Sequence, residues 1–140
     1  MNQAMSEFHI YTFTGTMRII ATTNAQGTNA TYGSGIINLY PGTFSLDYGW
    51  TKHVIFHELA HHFGASLISS TERDRDYQFM DDSGFQTLGY SPYQVPGTYI
   101  NPGEGFADCM AEIWGAPYAN RAHYWFCPQA VQDQLNVWHP

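Results

Sequence analysis

Ile55-Phe56-His57-Glu58-Leu59-Ala60-His61-His62-Phe63-Gly64 is the stretch on which the reading of this 140-residue chain turns. Its centre, His57 to His61, fits H-E-x-x-H, a pattern that sets two zinc ligands and a general base on one helix. Residues four apart on an α-helix differ by about 400° of rotation and roughly 6 Å of rise, so both imidazoles leave the same face. Glu58 lies about 100° round from His57, where its carboxylate can reach a water on the metal without becoming a ligand. This is a hydrolase layout. The chain holds seven His and five Glu, and shuffling it would produce the pattern in roughly 1% of cases, so context decides. Ile55, Phe56, Leu59, Ala60 and Phe63 fall opposite the two histidines, as in a core-packed helix, and Gly64 reads as its C-terminal stop. The bland alternative is an amphipathic helix with histidines on its solvated side.

A catalytic zinc needs a third protein ligand and an open position. The extended motif H-E-x-x-H-x-x-G-x-x-H matches as far as Gly64 and then meets Leu67 where its third His belongs, and the inverted order H-x-x-E-H is absent. A carboxylate from a later helix remains. Asn101-Pro102-Gly103-Glu104 opens such a helix, with Asn101 as N-cap and Pro102 as first helical residue, and it runs through Trp114 to end at Gly115. Glu104 and Asp108 stand four apart on one face, while Phe106, Cys109, Met110 and Ile113 face elsewhere. The spacing suits Glu104 as the ligand and Asp108 as the acceptor for the second N–H of a ligating histidine, His57. Asn101 and Glu104 also form a capping-box-like pair that needs no metal. If Glu104 only caps, Asp108 is the next candidate ligand.

His57-Glu58-Leu59-Ala60-His61 followed by Glu104-Gly105-Phe106-Ala107-Asp108 resembles the gluzincin zinc peptidases, whose third ligand is a downstream Glu. The E-x-F-A-(D/E) form looks most like the lethal-factor-like branch and the minigluzincins, and the Glu-x-x-x-Asp spacing is also similar to thermolysin-type enzymes. The resemblance covers roughly residues 30 to 115 at motif level. It implies a small zincin-like domain, an endopeptidase that holds one Zn²⁺ on His57, His61 and Glu104 and hydrolyses peptide bonds with metal-activated water and Glu58 as base. It also implies that the strand before the active helix is a sheet edge that holds substrate. An extended small-residue stretch suits backbone pairing with a peptide, and Ala30-Thr31-Tyr32-Gly33-Ser34 takes that role, with an internal strand or glycine-rich loop as the alternative. Among Tyr90, Tyr93, Tyr99 and His123, Tyr99 is the chosen oxyanion donor.

Ahead of the active helix the chain reads as sheet: strands at Phe8–Phe13 and Met17–Thr22, a turn at Asn24–Gly27, and one or two strands over Ala30–Gly35 and Ile36–Tyr40, ended by Pro41-Gly42. Residues 65 to 100 read as loops, with the mixed charge run Thr71–Asp76 solvated and Asp81-Asp82-Ser83-Gly84 a turn. His9, His62 and His139 carry no assigned chemistry. His53 lines the cleft at most, because three ligands on one straight helix span too much rise to converge. Glu112 is expected in a surface or inter-helix hydrogen bond. A last helix starts near Pro128, with Val131, Leu135 and Trp138 spaced for packing.

These readings predict one α+β domain over 1–140: a mainly antiparallel, twisted N-terminal sheet with the active-site helix over about 1–64, then loops, ligand helix and C-terminal helix over about 65–140. A chain of this length can bury a sizeable core. The net charge of −7 argues against nucleic acid and anionic membranes as partners. The resemblance implies a peptide or protein substrate, and a monomer is expected. The start lacks the basic and apolar regions of a signal peptide, as in a mature form or an excised catalytic domain. Cys109 and Cys127 read either as one disulfide, leaning toward a secreted or extracellular protein, or as buried thiols. The alternative function is a latent or non-catalytic zinc-binding peptide-recognition module whose cleft is filled by Pro96-Gly97 or by the tail Asn136–Pro140.

Overall fold

Asp47 starts the helix around which everything else is arranged, its carboxylate accepting the Trp50 backbone N–H at 2.9 Å. That helix, α1 (Tyr48–Ser66), is followed by α2 (Ser70–Asp82), α3 (Pro102–Ile113) and α4 (Gln129–Trp138). The computed structural model describes residues 17–22, 29–44, 47–83, 102–117 and 127–140. The strand expected at Phe8–Phe13, the turn at Asn24–Gly27, the Asn101 cap, His9, Tyr90, Tyr93, Tyr99, His123 and the Pro96-Gly97 loop lie outside them. No described helix is long and apolar enough to cross a membrane.

Among the described residues three strands precede α1: β1 (Arg18–Ala21), β2 (Ala30–Gly33) and β3 (Ile36–Leu39). Their order is β1-β3-β2, with β1 parallel and β2 antiparallel to β3. The sheet is therefore mixed among the described residues, where a mainly antiparallel one was expected. The reason is connectivity. Ser34 and Gly35, both at positive φ (50° and 77°), make a two-residue turn that forces β3 back alongside β2, leaving the far edge of β3 for β1. Ser34 thus belongs to the turn and not to the strand. Alternation along β3 buries Ile37 and Leu39 against α1.

α1 is covered on two sides, which its sequence does not advertise as a simple amphipathic stripe. Trp50, Val54, Ile55, Phe56 and Leu59 close on the sheet, while Ala60 joins Met80, Phe106, Ala107, Met110, Val131 and Leu135 in a second core among the helices. Gly64 does not end α1, which runs on to Ser66. A Cβ at Gly64 would lie 3.4 Å from the Phe106 ring and 3.5 Å from the Tyr77 hydroxyl. The glycine marks a close helix approach instead of a stop.

The charge run expected to be a solvated loop is the body of α2. Ser69 caps it, accepting the Glu72 N–H at 3.2 Å while the Glu72 carboxylate accepts the Ser69 N–H at 2.8 Å. Only Asp76 and Met80 of α2 are fully inside. Asp76 accepts from Arg75 (2.7 and 3.0 Å) and from His139 Nε2 (2.8 Å), so a buried carboxylate fastens the last residues of α4's end to α2.

α3 ends as the sequence implies, with Gly115 at φ 85° and the Ala116 and Gly115 N–H groups returning to Ala111 and Glu112 carbonyls. A Cys109–Cys127 disulfide joins α3 to the approach of α4, resolving the two readings of this pair. Glu112 reinforces that join by accepting the Cys127 N–H and the Gln132 side-chain amide, both at 3.1 Å.

Candidate metal centre

The helical offset between His57 and His61 brings their Nε2 atoms to 3.1 Å of each other. α3 crosses this face of α1 at its first turn. There the Glu104 carboxylate lies with Oε2 3.1 Å from His57 Nε2 and Oε1 3.3 Å from His61 Nε2. One turn later Asp108 Oδ1 accepts from His57 Nδ1 at 2.6 Å. His57 is thereby held from both ring nitrogens by two carboxylates of one neighbouring helix. Gly103, Gly105 and Ala107, the small residues flanking the acidic positions, are buried, as is Phe106.

Among the described residues, two groups of donors could hold a metal ion: His57, His61 and Glu104, and separately His53, His57 and Asp108. Distances separate them. A tetrahedral ion with bonds of about 2.0–2.1 Å sets its ligand atoms about 3.3 Å apart. In the first group the two Nε2 atoms are 3.1 Å apart and the Glu104 carboxylate straddles them, Oε2 at 3.1 Å from His57 and Oε1 at 3.3 Å from His61, spacings close to that frame. In the second, the 2.6 Å contact from His57 Nδ1 to Asp108 is the length of a charge-assisted hydrogen bond and too tight for two ligands of one ion. Asp108 therefore has the orienting geometry and Glu104 the ligating one.

The electrostatics agree with a site built for positive charge. Hydrogen bonds from His57 and His61 hold the Glu104 carboxyl well below the usual carboxylate range. Burial alone would raise Asp108, yet the adjoining His57 and His53 imidazoles take it well below that range too. Burial opposes charge on His57, but Asp108 and then Glu104 outweigh it and push the imidazole well above its ordinary value.

Glu58 stays out of the donor group. Its side chain is buried beside β2, where burial raises its carboxyl, the two ligand histidines lower it, and the Tyr32 backbone donates a hydrogen bond to it. β2 is the outer strand of the described sheet on the α1 side. The Tyr40 N–H donates to the Asn29 carbonyl in the ladder, so by alternation Tyr32 turns its backbone groups away from β3. Its hydroxyl is pinned to α1 by His62 Nδ1 at 3.1 Å and Ser66 Oγ at 3.2 Å. The structure thus brings Ala30 to Gly33 alongside the site.

Two participants were not read from sequence. His53 contacts Asp108 Oδ1 through Nε2 at 3.4 Å and the Ala116 carbonyl through Nδ1 at 2.9 Å. Its place one turn before His57 was the available signal. His62 was assigned no chemistry and proves to anchor β2 through Tyr32. The tail is accounted for as well. His139 packs edge-on against Phe63 and Phe106, each two residues and about 200° round its helix from a ligand position. It therefore packs in the helical core, on faces of α1 and α3 turned from His61 and Glu104. Compared with known proteins, the chain matches no protein-family profile, no curated protein and no solved structure.

Proposed function

We propose that this chain is a zinc-dependent peptidase of the gluzincin type. The observation that carries the reading is the meeting of His57, His61 and Glu104, from two helices, at spacings of 3.1 to 3.3 Å, with the remaining motif residue Glu58 buried beside them and outside the donor set. Two imidazoles and one carboxylate suit zinc and leave an open coordination position. A zinc ion on these residues supplies Lewis-acid chemistry toward a carbonyl and toward water.

The rest falls to the chain itself. Glu58 takes a proton from the attacking water and returns it to the leaving amine, and its burial lifts the carboxyl toward the range where both transfers are feasible. Asp108 fixes the tautomer and orientation of His57. The Tyr32 backbone on β2 holds the Glu58 carboxyl, and an extended peptide lying along β2 would present its scissile bond to Glu58.

The test is metal analysis beside hydrolysis of a peptide library by the wild type, Glu58→Gln and Glu104→Ala. One zinc per chain is expected in wild type and Glu58→Gln, and a loss of zinc in Glu104→Ala. Glu58→Gln should lower turnover by about 10²- to 10⁴-fold. A wild type that takes up no zinc, or a Glu58→Gln variant with unaltered turnover, refutes the reading.

A further inference from the structure

We propose that His53 is a positioning residue of the metal centre, one that locks Asp108, and through it the His57 imidazole, to the end of the helix bearing Glu104. The inference rests on the metal reading above and adds a residue outside the H-E-x-x-H motif.

His53 precedes His57 by one turn on the same face of α1, and its side chain is only 13% exposed. Two side-chain contacts of His53 reach α3 or its cap. A carbonyl can only accept, so Nδ1 donates to Ala116 O, 2.9 Å away. Nε2 lies 3.4 Å from Asp108 Oδ1, the same oxygen that accepts from His57 at 2.6 Å, and with Nδ1 donating it pairs with that carboxylate as the imidazolium. The ring is backed by Trp50, with centroids 6.4 Å apart and planes 21° from parallel.

One imidazole thus spans α3 from Asp108 to Ala116, the residue whose N–H closes the helix cap on Ala111. Such a bridge sets the register of α3 along α1. Register matters here because each residue of slip moves a helix about 1.5 Å and turns it about 100°, which would carry Glu104 out of reach of both ligand histidines. Filling space beside Trp50 needs only a ring. Joining Asp108 to the Ala116 carbonyl needs the two nitrogens.

The full-length chain is tested as His53→Phe, which keeps a ring against Trp50 and removes both contacts to α3 and its cap, and as His53→Gln, which keeps an amide donor. Zinc affinity is measured by competition with a chromophoric chelator, at a temperature where circular dichroism shows each variant folded. Expected are about tenfold weaker binding for His53→Phe, the low end for outer partners of a ligand, an altered Co²⁺ absorption band, and intermediate affinity for His53→Gln. Added to Asp108→Ala, His53→Phe should cost almost nothing more, because its effect passes through Asp108. If His53→Phe does not fold, His53→Gln carries the same comparison. Wild-type affinity in the His53 variants while Glu104→Ala loses zinc overturns this inference alone, as does full additivity with Asp108→Ala. No zinc binding by the wild type removes the metal reading and this inference with it.

Discussion

Replacing Gly64 by Ala is expected to stabilise the protein, although the site packs against Phe106 of α3. Two effects compete. Ala is favoured over Gly inside a helix by about 0.8–1 kcal/mol, and a buried methyl adds up to about 0.8 kcal/mol. Against this stands crowding, and the added carbon would lie 3.4 Å from Phe106 Cε1, 3.5 Å from the Tyr77 hydroxyl and 3.8 Å from Phe106 Cδ1. These are ordinary contact distances, met by ring atoms that tolerate shifts of a few tenths of an ångström. The balance favours Ala by about 1 kcal/mol, or roughly 3 °C in Tm for a chain of this size. Thermal and urea unfolding of the metal-free protein measure it, with zinc affinity as a control, since Phe106 lies two residues from Glu104. Destabilisation by more than about 0.5 kcal/mol, or a loss of zinc binding, would show that the helices approach more closely than described.

Removing the Asp108 carboxylate with Asp108→Ala should weaken zinc binding by about 10- to 100-fold while leaving the Glu104 ligand in place, and an unchanged affinity would deny Asp108 its role beside His57. Stripping the metal with a chelator should abolish hydrolysis and leave far-ultraviolet circular dichroism unaltered, because neither core includes His57, His61 or Glu104; cooperative unfolding on chelation would contradict that. Cys109 and Cys127 are 18 residues apart, so opening their bond with paired Ser substitutions should lower stability by about 3 kcal/mol in urea denaturation, and a change under about 1 kcal/mol would count against chain-entropy control. Glu72 is held below its ordinary value by hydrogen bonds from the Ser69 side chain and then its backbone. A lowered carboxylate stabilises above its unfolded-state value of about 4.5 and loses that contribution as pH falls through the folded-state one. The stability gap between wild type and Glu72→Gln should therefore shrink on acidification, and a gap that widens would reverse the sign.

Local chemistry left clear marks wherever one segment contains its own explanation. His57, Glu58 and His61 are related by helix geometry alone, and so are Glu104 and Asp108. Gly115 takes the left-handed position that ends α3, and the Val131 and Leu135 spacing yields the buried face of α4. The marks on α2 were equally local, Ser69 followed three residues later by Glu72, but the surrounding charges outweighed them because polar composition resembles a loop. Gly64 misled for a related reason: glycine serves both to stop a helix and to let another helix come near, and only the neighbour tells which. The sheet was legible as strands and not as a topology, since pairing of β1 with β3 joins residues far apart in the chain.

What the sequence determined by itself is the inventory and the faces: two imidazoles on one side of one helix with a carboxylate about 100° round from the first, and two carboxylates on one side of another, set by a repeat of 3.6 residues per turn. What the tertiary structure alone decided is that these faces meet, that Glu104 sits at 3.1 and 3.3 Å from the histidines while Asp108 grips the opposite nitrogen, and that His53 and Tyr32 brace them. The physical reason is that backbone periodicity orients side chains over one or two turns, whereas the distance between helices depends on small residues, buried rings and a disulfide contributed by segments far away in the chain.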